Sequence, residues 1–302
     1  MCGIVGLHLR TPELYPRLGQ LLTGMLCEMG DRGGDSAGVA VYGDPNWSPP
    51  GHGCVSVADL GTGSTEDTTH VAASVGAALG GDVVGSAVGV SHVLSAAVDS
   101  EILLSAVRAA YPDALVAGFG SDMAVLKGVG HPRVLTHGWC LGDAQGWQGV
   151  GHTRMATESA VTPAGCHPYA VGPGQCMVHN GSFANHATIR RELRAEGVVF
   201  DSENDTEVGA RFIAQQLSEG RDVETALKAL CATFDGFYTL LVSNRDSFAV
   251  VRDAIACKPA VIAETDEWVA MGSEYRALAG LPGVEKAKIW EPEPEVVYAW
   301  SR

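Results

Sequence analysis

Two hydrophobic periods run through the first forty residues. Residues 4–9 form a continuous apolar run of strand length, and Leu14, Leu18, Leu21, Leu22, Met25 and Met29 then recur at helical spacing. A second apolar run at 37–42 reads as another strand. Between helix and strand, the polar turn Asp31, Arg32, Gly33, Gly34, Asp35, Ser36 breaks the pattern, as a loop at a strand mouth does. Residues 43–53 carry three prolines and three glycines and read as a surface connection. Beyond them come a β-like run at 83–94, helical spacing through Ile102, Leu103, Ala106 and Val107, and an apolar run at 114–119. This strand, helix, strand succession predicts a small α/β insert over 55–131.

From residue 149 onward strand signals return at 151–154 and 176–179, with helical patterns at 186–196, 206–218 and 223–232. Short apolar runs at 237–243, 248–252, 260–263 and 268–271, separated by turn residues, predict antiparallel meanders. Strands and helices come in groups rather than in strict alternation, so the expected fold class is α+β in layers, in one domain of 1–302 with its insert. No tandem repeat or low-complexity tract is present.

Composition narrows the function classes. The 302 residues are 46% hydrophobic, enough for a full core, and the net charge of -15 with no basic stripe argues against nucleic acid or an anionic membrane as partner. No basic segment leads into an apolar stretch at the N-terminus, and no apolar run is long enough to span a bilayer. The eight cysteines are scattered without a CxxC pair, so neither a zinc site nor a disulfide framework is expected, and a reducing cytoplasm suits them.

Chemistry enters at Cys2. Initiator methionine is trimmed before small residues, which would leave one residue holding both a thiol and a free α-amine. The amine titrates near ~7.7–8.0 and the thiol near ~8.5, so the two can exchange a proton at neutral pH. Taken alone, such a cysteine is equally a small buried apolar residue. Gly3 and Gly6, which bracket Ile4 and Val5 just after it, allow close backbone approach. Further along, Gly151, His152, Thr153, Arg154, Met155, Ala156, Thr157 puts a cation and hydroxyls at a strand end, and His179, Asn180, Gly181 follows another strand. In isolation Arg154 reads as a surface ion pair and Asn180 with Gly181 as a turn. Asp205 stands where the cap of the 206–218 helix is expected.

Cys2 through Gly6, the stretch from Arg32 to Gly38, and the three later blocks resemble, in order, the class II (N-terminal nucleophile) glutamine amidotransferases. That family includes the glutaminase domains of amidophosphoribosyltransferase and glucosamine-phosphate synthase. The resemblance covers roughly 1–43 and 149–280. It implies the N-terminal nucleophile hydrolase fold, antiparallel sheets sandwiched by helices (αββα). It also implies a nucleophile at Cys2 and an oxyanion hole from the Asn180 amide and the Gly181 N–H. Arg154 would grip the glutamine α-carboxylate with Thr157 in support, and Asp205 would hold the α-ammonium. His167, in a family-like His-Pro pair, would shape the site. Arg32 is placed with the substrate-binding residues, in a loop whose glycines suit closure over glutamine.

The relatives append a synthase domain to this core, whereas here core and insert consume the chain, and no Walker motif or convincing dinucleotide fingerprint is visible. The expected ammonia acceptor is therefore a separate synthase subunit. The chain looks most like the freestanding amidotransferase subunit of N-methylglutamate synthase and glutamate-synthase-like systems, in which flavin and any iron–sulfur centre belong to the partner and none to this chain. The alternatives are an amidase acting on another small amide and a catalytically silent assembly subunit. Arg154 with Asp205 points to an α-amino acid, and intact Cys2, Asn180 and Gly181 point to activity.

Overall fold

Strand Gly3–Leu9 is buried along its whole length and alternates its side chains between two different cores. Val5, Leu7 and Leu9 pack under the helix Leu18–Glu28, while Ile4 faces a second sheet. The computed structural model describes residues 1–63, 66–155 and 161–302. In it this strand sits near the middle of a seven-stranded antiparallel sheet. Its order is Lys288–Trp290, Val261–Glu264, Trp268–Gly272, Gly3–Leu9, Gln148–Arg154, Ser36–Tyr42 and Met123–Val129.

A second antiparallel sheet, ordered Tyr298–Ser301, Ser247–Arg252, Gly236–Ser243 and Cys176–Phe183, lies against the first. Ile4, Val150 and Met271 from one meet Val178, Leu241 and Phe248 from the other in a shared core. The approach is close at Gly6, where an added Cβ would lie 2.4 Å from Leu241 and 2.7 Å from Phe248. A side chain there would push the sheets apart. Helices His186–Ala195, Asp205–Ser218 and Val223–Thr233 cover the outer face of the second sheet through Ile189, Leu193, Val208, Ile213 and Leu227. Helix, sheet, sheet, helix is the layering expected from the sequence.

The segment expected as an insert divides between two sheets. Strands Val84–Val88, Ser91–Ala96, Gly53–Asp59 and Leu115–Gly120 make a third antiparallel sheet in that order, packed by helices Thr68–Leu79 and Ser100–Ala110 around Val55, Val71, Leu94, Leu103 and Val107. Met123–Val129 instead pairs residue for residue with Ser36–Tyr42 as the edge of the first sheet. The β-like run at 83–94 is two strands of a hairpin that turns at Gly89, whose φ is 63°. The edge strands at 288–290 and 298–301 have no counterpart in the sequence reading, because each is too short to show a period.

Candidate active site

Two strands present their polar residues to each other across the sheet interface. On Gln148–Arg154 a period of two puts Val150 and His152 on the inner face. On Cys176–Phe183 it puts Val178 and Asn180 on the inner face and Met177 and Phe183 toward the helices. Both strands end beside Cys2, which lies at the head of the strand Gly3–Leu9.

There a cleft of about 570 Å³ opens, large enough for an amino acid. Cys2, Arg154, Gly181 and Asp205 all border it, as does His167. Asn180, almost fully buried, donates from Nδ2 to the Cys2 carbonyl at 3.3 Å and to Ser273 Oγ at 3.2 Å. Ser273 Oγ also accepts the Ile4 N–H at 2.8 Å, so one hydroxyl ties the nucleophile strand to Asn180. Gly181 has φ 140°, and a Cβ there would stand 1.9 Å from the Phe237 carbonyl oxygen. The position therefore admits only glycine. Thr157 lies outside the described residues.

Arg32 is placed differently from the expectation. It does not border the cleft: its Nε donates to the Cys2 carbonyl at 2.9 Å and its Nη1 to Glu274 Oε1 at 2.6 Å. Glu274 also pairs with Arg276, which reaches Asp31, and the Arg32 hydrogen bond holds the Glu274 carboxyl below the usual range. The guanidinium thus fixes the nucleophile from behind. The surrounding loop is pinned rather than free to close. Arg32 and Gly33 donate to Met29 O at 3.0 and 3.3 Å, Asp35 donates to Arg154 O at 3.1 Å, and Gly130 donates to Asp35 O at 2.8 Å.

Asp205 is also not the expected cap. Asn204 caps the helix by accepting the Thr206 N–H at 2.9 Å, and Asp205 is the first helical residue. Its Oδ2 accepts the Phe183 N–H at 2.9 Å, which orients the carboxylate at the cleft. A carboxylate in a first helical turn is favoured by the helix dipole.

The sequence reading assigned no role to His152, His179, Thr206 or Ser273. His167 lies between the other two imidazoles, 4.1 Å from the His152 ring centroid and 6.5 Å from that of His179. The hydrogen bonds define its tautomer. The His179 backbone N–H donates to His167 Nδ1 at 3.3 Å, so Nε2 carries the proton and donates to Thr206 Oγ1 at 3.3 Å. The Thr206 hydroxyl also lies 2.9 Å from His179 Nδ1 and 3.5 Å from Asp205 Oδ1. Burial keeps all three rings neutral. It pushes His152 down to about 3 and His167 well below the ordinary imidazole value. For His179 burial lowers the value to about 4 against an opposing pull from Asp205. Among the described residues no group of three or more His, Cys, Asp or Glu is arranged to hold a metal ion.

Two antiparallel sheets face to face with helices outside, and a thiol at the head of a central strand, make the N-terminal nucleophile hydrolase fold. A glutamine amidotransferase domain matches residues 152–280. The chain is 44% identical over 319 residues to a glutamine amidotransferase-like protein, GlxB, of Rhizobium meliloti (strain 1021), covering 100% of this chain and 98% of that one. It is 36% identical over 136 residues to a glutamine–fructose-6-phosphate aminotransferase of Mycolicibacterium paratuberculosis, covering 44% of this chain and 22% of the relative. The fold matches that of glutamine phosphoribosylpyrophosphate amidotransferase from B. subtilis with a TM-score of 0.60 at 17% identity, over 99% of this chain and 49% of that one. The chain belongs to the class II glutamine amidotransferases, enzymes with an N-terminal cysteine nucleophile, and Cys2 stands in that place. Among the described residues no helix is long and apolar enough to cross a membrane.

Proposed function

We propose that the chain hydrolyses L-glutamine to L-glutamate and ammonia through a thioester on Cys2, and passes the ammonia to a separate synthase subunit. The observation that carries this is the convergence of Cys2, Arg154, Gly181 and Asp205, from four separate stretches of sequence, on one cleft. Met1 projects into solvent with 68% of its surface exposed, accessible for removal. Once it is gone, the Cys2 α-amine takes the thiol proton and Sγ attacks the glutamine amide carbon. The carbonyl electron pair moves to oxygen, where the Asn180 amide and the Gly181 N–H receive it. Collapse of this intermediate expels nitrogen as ammonia, which carries off the proton held by the amine. Water then adds to the thioester, releasing glutamate and restoring the thiol. Arg154 and Asp205 grip the α-carboxylate and α-ammonium. An opposed pair of charges in one cleft favours an α-amino acid over a simple amide, and so favours this reading over a general amidase.

The separate acceptor is supported by relative lengths. The Rhizobium protein is matched along 98% of its length, whereas the sugar-phosphate aminotransferase extends well beyond the matched part. We place the partner among glutamate-synthase-like enzymes, including N-methylglutamate synthase, with flavin and iron–sulfur centre on that subunit, in a reducing cytoplasm. The insert is the docking surface in this reading. Its edge strand Val84–Val88 and its exposed Val84, Val90 and Ile102 lie outside the catalytic layers. Glutamate production by the chain with and without that partner, beside the Cys2→Ser variant and an intact-mass measurement, tests the reading. Retention of Met1 in fully active protein would overturn the mechanism.

A further inference from the structure

The Asn180 amide is held at both ends, and the geometry points to His152 as the positioning residue that decides which end faces the nucleophile. This rests on the reading of Asn180 as oxyanion donor. His152 Nε2 lies 3.0 Å from Asn180 Oδ1, while the other end of the amide, Nδ2, faces the Cys2 carbonyl at 3.3 Å and Ser273 Oγ at 3.2 Å. Both side chains are buried, so water does not compete for either end.

Only two arrangements satisfy the short His152 contact. With Oδ1 toward the ring, Nε2 must carry the proton, and both Nδ2 hydrogens point to the nucleophile side. With the amide turned over, Nε2 must be bare and Nδ1 protonated. Oδ1 would then stand about where Nδ2 is now, against the Cys2 carbonyl oxygen, with two acceptors facing each other and only the Gly181 N–H left for an oxyanion. Amide orientation and imidazole tautomer are therefore one variable. Burial keeps the ring neutral, so it holds a single N–H to place. Nδ1 has no hydrogen-bond partner among the described residues. The His167 ring, packed at 4.1 Å, hinders rotation of His152. The Cys2 carbonyl, itself fixed by Arg32 at 2.9 Å, selects the donor-forward state from the other side. A donor already aimed before charge develops needs no reorganisation when the tetrahedral intermediate forms. The Nδ2 hydrogen on the Cys2 carbonyl, held at the long distance of 3.3 Å, is the weakly bonded one that an oxyanion beside Cys2 can share without the amide moving.

The experiment combines ring-nitrogen NMR of the ¹⁵N-histidine-labelled chain with steady-state glutamine hydrolysis. His152 is expected to keep a protonated Nε2 and a bare Nδ1 from pH 8 to pH 5; a bare Nε2 overturns the proposal without recourse to any variant. His152→Leu should lower kcat by about tenfold to a hundredfold with KM within about twofold, and His152→Gln, which restores an N–H donor, should recover most of it. A KM that rises as much as kcat falls would make His152 a substrate contact and sink the positioning role. Asn180→Ala should cost about a hundredfold or more in kcat, and adding His152→Leu should cost nothing further. If Asn180→Ala leaves kcat intact, the oxyanion reading itself fails. If Asn180→Ala collapses kcat and His152→Leu does not, only the inference drawn here fails.

Discussion

The catalytic cleft and the insert are built in opposite ways. Around the cleft, polar side chains are buried, and each is held by a partner remote in sequence: Arg32 by Glu274, Asn180 by His152 and Ser273, His179 by Thr206. The insert closes on an apolar core of its own, with polar caps at its helix ends and apolar residues left in solvent at Val84, Val90 and Ile102. Buried polar networks tolerate no loss of a partner, whereas an apolar core with a solvated face tolerates surface change. One region is thus constrained by chemistry and the other by packing alone, which leaves the insert's surface free to suit a partner.

The sharpest break between the two regions is the nucleophile. Cys2→Ala is expected to reduce glutamine-dependent turnover about a thousandfold or more, while the reconstituted complex keeps its use of free ammonia within about twofold. Equal loss of both would show that Cys2 supports folding or assembly. Next come the charged grips of the cleft. Arg154→Lys retains charge but loses the planar fork and should raise the glutamine KM about tenfold, as should Asp205→Asn, with exposed Arg191→Lys as the unaffected control. Unchanged glutamine affinity in both would remove these residues from the substrate pocket.

A smaller effect distinguishes the regions by proton linkage. His152, His167 and His179 all have folded-state values below the ordinary ~6.5. Below that pH the unfolded chain takes up protons the folded chain refuses. Their contribution is therefore full above ~6.5 and falls with pH, toward about 3 for His152 and about 4 for His179. Each imidazole costs about 1.4 kcal/mol per pH unit once well inside that window. Urea midpoints should drop between pH 7 and pH 5, and His152→Gln should flatten the slope; an unchanged slope would show that the ring is not held neutral. The smallest effects are expected on the insert. Val84→Glu and Ile102→Glu should leave stability within about 0.5 kcal/mol and the basal glutaminase rate unchanged, yet lower the stimulation by the synthase partner several-fold. Undiminished stimulation in both would move the docking surface elsewhere.

Particular residues show where sequence reasoning reached and where it stopped. The strand and helix of residues 4–29 and the three helices after residue 186 were legible because each repeats its period several times. Asp205 was legible as a cleft residue by resemblance, but its local reading as a cap was displaced by Asn204, one residue earlier, whose side chain reaches the Thr206 N–H. His152 carried a usable signal: a period of two from Arg154 puts it on the same face, and only the partner on that face was missing. Arg32 carried none, since its acceptors are the Cys2 carbonyl and Glu274, the latter 242 residues away.

By itself the sequence determined what depends on local order. It set the periods of the elements, the layered α+β class and the cysteine at the head of a strand, because propensity, turn geometry and side-chain alternation act over a few neighbouring residues. Only the tertiary structure decided which strand of the 55–131 segment joins the first sheet, that the Arg32 loop is pinned, and which end of the Asn180 amide meets Cys2. Those outcomes depend on the packing of two sheets, which brings together groups that no spacing along the chain relates.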